Sequence, residues 1–174
     1  MDVKKAIAKR KSIRRFKEKE VPDKIIKEVI DSARRAPSSH NLQPWHFIVV
    51  KNKENLLKFK EQDIFVQKWL YESPVIIVCC AEKESYSSDS IKKHEKELPL
   101  INLSLASAFL VLRATELGLG TCFVAWVDKE KIKKILGIPE DIMIPYIIAM
   151  GYPNENPEPR GRKELNEIMS FEKW

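Results

Sequence analysis

Glycine is scarce. Only Gly118, Gly120, Gly137, Gly151 and Gly161 occur in 174 residues, and none falls in a Gly-x-Gly-x-x-Gly or P-loop frame. Such sites need glycines where backbone must approach a phosphate, so both are excluded and any phosphate must be held by side chains. Cysteine offers no scaffold: the count of three is odd, Cys79 and Cys80 are adjacent inside an apolar run, and Cys122 stands among hydrophobic neighbours. Neither a disulfide framework nor a zinc spacing follows. His40, His46 and His94 make no pair with a Cys or acidic residue at ligand spacing, so no metal is expected. The longest uncharged stretch, Leu98 to Leu112, carries Asn102, Ser104 and Ser107 and falls short of the roughly 18 apolar residues a membrane span needs. No signal-like apolar run precedes Lys9 and Arg10. A cytoplasmic protein with no membrane attachment is expected.

The content that is present fits one globular domain, with 44% apolar and 9% aromatic residues. Charge is lopsided. The first 20 residues hold nine Lys or Arg against three Asp or Glu, while the remaining 154 hold 22 of each, so the whole net charge of +6 lies at the N-terminus. A basic nucleic-acid-binding segment over residues 4 to 19 would explain this. Its lack of interleaved aromatics argues against that reading, and no nucleic acid is expected.

Hydrophobic spacing sets out the elements. Residues 2 to 10 read as a helix capped by Asp2, and a second helix runs from about Pro22-Asp23 to Pro37. Residues 37 to 44 carry no regular pattern. Trp45 to Val50 reads as a strand, Asn52 caps a short helix to about Phe59, and Val75 to Ala81 is a continuous apolar run suited to a central strand. Leu98 to Leu117 is a helix apolar around its circumference, expected to be buried on most sides. Thr121 to Val127 reads as a strand, Asp128 caps a helix ending at Gly137, and Met143 to Met150 is the last strand. The proline-rich residues 152 to 174 read as an extended arm with at most one helical turn. The all-round apolar helix fits either a monomer core or a homodimer interface.

Three segments could carry chemistry. Around Arg10-Lys11-Ser12-Ile13-Arg14, paired guanidinium donors and a hydroxyl could grip a phosphate; equally, cations gather at helix C-termini. In Pro37-Ser38-Ser39-His40-Asn41-Leu42-Gln43-Pro44, dense polar groups stand before a buried strand. They could meet a flat heteroaromatic edge or satisfy their own backbone. Arg160 and Arg162 alternate on an extended chain and face one way, as a clamp or as surface charge.

In order and spacing, Arg10-x-Ser12-x-Arg14-x-Phe16, Ala36-Pro37-Ser38-Ser39-x-Asn41-x-Gln43-Pro44-Trp45, Gly118-Leu119-Gly120-Thr121-Cys122 and Pro159-Arg160-x-Arg162 resemble the FMN-dependent nitroreductase family over nearly the whole chain. The resemblance implies an α+β fold, with a central mostly antiparallel sheet flanked by helices. It also implies an intertwined homodimer with an FMN site at each subunit boundary. Residues 1 to 151 would form the FMN-binding domain, and residues 152 to 174 an arm on the partner subunit. By position, Arg10, Ser12, Arg14, Arg160 and Arg162 would hold the phosphate and ribityl chain, while Ser38, Ser39 and Asn41 would meet the isoalloxazine ring. Gln67 would lie near the pyrimidine edge, and the Ala125 N–H would bond flavin N5. Trp126 departs from the family pattern and could narrow the pocket over the ring.

The implied activity is NAD(P)H oxidation through FMN, with hydride passed in ping-pong fashion to a nitroaromatic, quinone or related conjugated acceptor. No catalytic side chain is needed, because the protein supplies position and electrostatics. Reductive dehalogenation or flavin fragmentation, also found in this family, is the alternative within the enzyme class.

Overall fold

A computed structural model describes residues 2–82 and 97–174; His94 of the metal argument lies outside them. Among the described residues five α-helices and four strands follow the expected order. Helix α1, Val3–Lys9, starts where the Asp2 carboxylate accepts the Lys5 N–H at 2.8 Å. Helix α2, Asp23–Ala33, buries Ile26, Val29 and Ala33. It stops short of Pro37 because the residue before a proline is pushed out of the helical region, and the chain unwinds ahead of it.

The sheet consists of β1 (Trp45–Val50), β2 (Val75–Ala81), β3 (Gly120–Val124) and β4 (Met143–Gly151), in the order β1-β2-β4-β3 and antiparallel throughout. Every residue of β2 is buried, as the uninterrupted apolar run requires of a strand covered on both faces. Alternation divides the core. Val75, Ile77, Cys79 and Ala81 pack beneath α2 and α4 (Glu97–Glu116), while Ile76, Val78 and Cys80 face α3 (Lys53–Glu61) and α5 (Lys129–Leu136).

Two expectations need correction. Strand β3 ends at Val124 rather than Val127, because Val127 leaves the sheet to pair with Phe65 and Asp128 then caps α5 through the Lys131 N–H. Helix α4 is not buried on most sides of this chain. Asn102, Leu103, Ala106, Ser107, Leu110 and Ala114 face inward, whereas Ile101, Leu105, Ala108 and Phe109 form an exposed apolar stripe. At 20 residues and with a mean hydropathy of 1.5, α4 is also long and apolar enough to cross a membrane by length and composition, which a count of uncharged residues overlooked. Its inner face instead packs in the core beside α2.

Residues 152–174 carry one 3₁₀ turn, Leu165–Glu167. The start of this arm is tied to its own chain. Phe16 pairs with Pro153, the Lys17 N–H donates to the Tyr152 carbonyl at 2.8 Å, and the Asn154 N–H donates to the Arg15 carbonyl at 2.9 Å. From residue 158 onward every side chain is exposed, including Leu165, Ile168, Phe171 and Trp174.

The segment before this zipper lies against β3, with Ser12 bridged to Thr121 and the Ile13 N–H donating to the Thr121 carbonyl at 2.9 Å. Gly120 permits the approach, since a Cβ there would stand 2.6 Å from Ile13 Cγ1 and 2.7 Å from its Cβ. Gly120→Ala should therefore displace buried Ile13, with an overpacking cost of about 1–3 kcal/mol. Thermal denaturation should show a lower melting temperature, and an unchanged one would refute the tight approach.

Candidate cofactor site

The extended segment 10–14 turns alternate side chains to one side, which groups Arg10, Ser12 and Arg14. Their convergence is visible at Cys122. Burial pushes its thiol up, and the charge of Arg14, the nearby Ser12 hydroxyl and the charge of Arg10 oppose that shift. Arg10 also lines a cleft of about 740 Å³, with Ile7 to Lys11 on one wall and Asn156, Pro159, Arg160 and Arg162 on the other, whereas Ser12 and Arg14 are not among its lining residues. Lys11 Nζ crosses to the opposite wall, donating to Asn156 Oδ1 at 2.7 Å and the Pro157 carbonyl at 2.9 Å. Glu155 fastens the other strand through the Arg14 N–H at 2.6 Å and the Arg15 N–H at 3.3 Å. Three arginines, Arg10, Arg160 and Arg162, thus line one cleft. Arg162 Nη1 folds back on the Arg160 and Gly161 carbonyls, at 2.8 and 3.1 Å. A cleft whose polar walls are this cationic suits a phosphate dianion.

Gln67 and Ala125 flank a single bridge between two loops. Phe65 pairs with Val127, and the Asp128 N–H donates to the Ile64 carbonyl at 3.0 Å. Half-buried Gln67 follows Phe65 by two residues, and exposed Ala125 precedes Val127 by two. Trp126 follows, 72% exposed.

The loop before β1 combines local self-satisfaction with strain. Ser38 Oγ accepts the Gln43 N–H at 3.0 Å, and Gln43 Nε2 donates to the Asn41 carbonyl at 3.1 Å, so these groups serve their own backbone. The side chains of Ser39 and Asn41 have no hydrogen-bond partner among the described residues. His40, Asn41 and Gln43 all adopt positive φ, at 50°, 56° and 54°, a region that non-glycine residues occupy at a cost.

The structure does not bring this loop to the cationic cleft within one chain. Trp45 lies opposite Ala81 at one end of β2, whereas Thr121 lies opposite Met150, which lies opposite Val75 at the other end. Three strand spacings separate the two sheet edges by about 14 Å, and six residues add about 20 Å along the strands, a diagonal on the order of 25 Å. Ser38, Ser39 and Asn41 thus stand at one corner of the sheet and Arg10, Ser12 and Arg14 at the other.

Sequence reasoning missed Glu155, Asn156 and Asn102. Nothing local marks the first two. Asn102 could have been found as the polar residue one turn from Ala106 and two turns from Leu110 on the inward face of α4.

The sequence profile of the nitroreductase family matches residues 7–64 and 65–152. The chain is 36% identical to a protein of Methanothermobacter thermautotrophicus provisionally named NADH dehydrogenase/NAD(P)H nitroreductase, over 100% of this chain and 88% of that one. It is 28% identical to the iodotyrosine deiodinase of Hydra vulgaris, over 92% of this chain and 69% of that protein. Among solved structures, a nitroreductase family protein from Clostridium difficile 630 superposes with a TM-score of 0.84 at 28% identity, over 100% of both chains.

Proposed function

The chain belongs to the nitroreductase family and is an oxidoreductase of that type, and we propose that it is an FMN-dependent NAD(P)H oxidoreductase reducing nitroaromatic, quinone or related conjugated acceptors. The observation that carries the cofactor is the cleft shared by Arg10, Arg160 and Arg162. It supplies fixed positive charge for a phosphate in a fold without a glycine-rich loop. When bound, FMN would supply two-electron hydride chemistry.

The chain's own residues hold and orient. The arginines anchor the phosphate end, Gln67 offers a polar contact near the ring edge, and the Ala125 N–H points a donor at the reacting face. Trp126 beside it restricts what can lie over the ring. No side chain of the site has to move a proton for hydride transfer itself.

The corner-to-corner separation within one chain favours a homodimer in which Ser38, Ser39 and Asn41 of one copy approach the cationic cleft of another. The exposed stripe on α4 and the exposed apolar arm provide contact surface for it.

A second reading, reductive dehalogenation of a halogenated phenol, draws support from the likeness to the deiodinase of Hydra vulgaris. Steady-state assays with a quinone, a nitroaromatic and a halophenol would choose between them. The expectation is turnover of the first two with NADH or NADPH.

The direct test of cofactor use is spectral. The purified protein should show flavin absorption, or its ligand-free form should gain about 2.7 kcal/mol of stability with FMN at a hundred times its Kd. A colourless protein whose melting temperature does not respond to FMN would overturn the reading.

A further inference from the structure

The loop over residues 38–43 is expensive to hold. Three non-glycine residues lie at positive φ within four positions, and a flexible loop would relax them. Its internal bonds join Asn41 and Gln43 to Ser38, Gln43 to Asn41, and Leu42 to Ser39, which fixes the turn but does not attach it to the body of the protein. The side-chain attachment comes from Asn102 in α4, 3% exposed, whose Oδ1 accepts the Ser39 N–H at 3.3 Å across 63 residues of sequence. The other half of the same carboxamide is an anomaly, because Nδ2 is buried with no hydrogen-bond partner among the described residues. A buried unpaired amide donor is destabilising, so Asn at this position is not explained by core stability. Leucine has the same number of side-chain heavy atoms and the same branching, and would remove the orphan.

We propose that Asn102 is the positioning residue of the 38–43 loop, holding Ser39 so that the unpartnered side chains of Ser39 and Asn41 are presented to a planar ligand with hydrogen-bonding groups on its edge. This rests on the functional reading above, in which that ligand is the FMN ring. The residue touches the loop and acts through it. Its energetic disadvantage in the core is the counterpart of a loop kept in a conformation it would not keep alone.

The test compares Asn102→Leu and Asn102→Asp with wild type by three measurements: amide hydrogen exchange of residues 38–43 in ligand-free protein, FMN affinity by flavin fluorescence, and melting temperature. Asn102→Leu should be as stable as wild type or more so, yet exchange faster at Ser39 to Leu42 and bind FMN at least tenfold more weakly. Asn102→Asp keeps the acceptor but buries a carboxylate, so it should lose stability while retaining slow loop exchange and an FMN affinity within about threefold of wild type. That opposite ordering of stability and affinity is what a merely structural residue would not produce. Unchanged exchange in Asn102→Leu overturns the proposal, as does FMN affinity that simply follows melting temperature. Should Asn102→Asp not fold, exchange and affinity in the leucine variant decide alone. Wild-type protein that fails to bind FMN overturns the functional reading and the ligand with it. Wild type that binds beside an unaltered leucine variant overturns the role of Asn102 only.

Discussion

Ala108→Glu is expected to abolish self-association and FMN binding together while leaving the fold of the single chain intact. Position 108 lies on the exposed side of α4 among Leu105 and Phe109, so within one chain a glutamate there meets solvent. An exposed substitution of this kind changes stability by about 0.5 kcal/mol or less. In the proposed homodimer the same carboxylate would be buried without a partner, at about 3–5 kcal/mol, which is roughly two to three and a half decades in dimer dissociation. The two costs differ enough for one variant to decide. Light scattering combined with flavin fluorescence should report a folded monomer without bound FMN. A native-sized dimer would take Ala108 out of the interface, and a monomer that binds FMN fully would remove the second copy from the site.

Arg160→Ala and Arg162→Ala should each weaken FMN binding about ten- to a hundredfold, since each deletes a charge-assisted phosphate contact of about 1.5–3 kcal/mol. Both side chains are exposed and neither belongs to the core, so the melting temperature of the ligand-free protein should hardly move. Riboflavin supplies the control. It carries the same ring without the phosphate, and its affinity should be unaffected by either substitution. Equal losses for FMN and riboflavin would place these arginines away from the phosphate.

Local patterns made the scaffold legible because most of its elements announce themselves in consecutive residues. The apolar run Val75–Ala81 is the buried central strand, and Asp2, Asn52 and Asp128 cap the helices they precede. The end of β3 was not legible, because Val127 pairs with Phe65, a choice made by tertiary contact. Helix α4 misled for a related reason. A helix with one face in its own core and an apolar face exposed looks, in sequence, like one buried all round. The N-terminal cation cluster stood out as lopsided charge, but its assignment to a cofactor came from the family resemblance and not from charge. The bonds that support the site were not legible, since Ser39 to Asn102 spans 63 residues and Arg14 to Glu155 spans 141. The division of the site between opposite corners of the sheet required the strand order, which no local pattern encodes.

Because Lys11 meets Asn156 and Pro157 across 145 and 146 residues, the cationic cleft is among the last features a growing chain can make. Contacts of such sequence separation close only after the intervening sheet has formed, and they slow folding accordingly. During synthesis, the nine cations of the first 20 residues would leave the ribosome well before the strand that organises them. Any ligand of the cleft is therefore captured only once residues 156 to 162 have been made. A protein truncated before Asn156 would carry every residue of the N-terminal motif and still have no cleft to place them in.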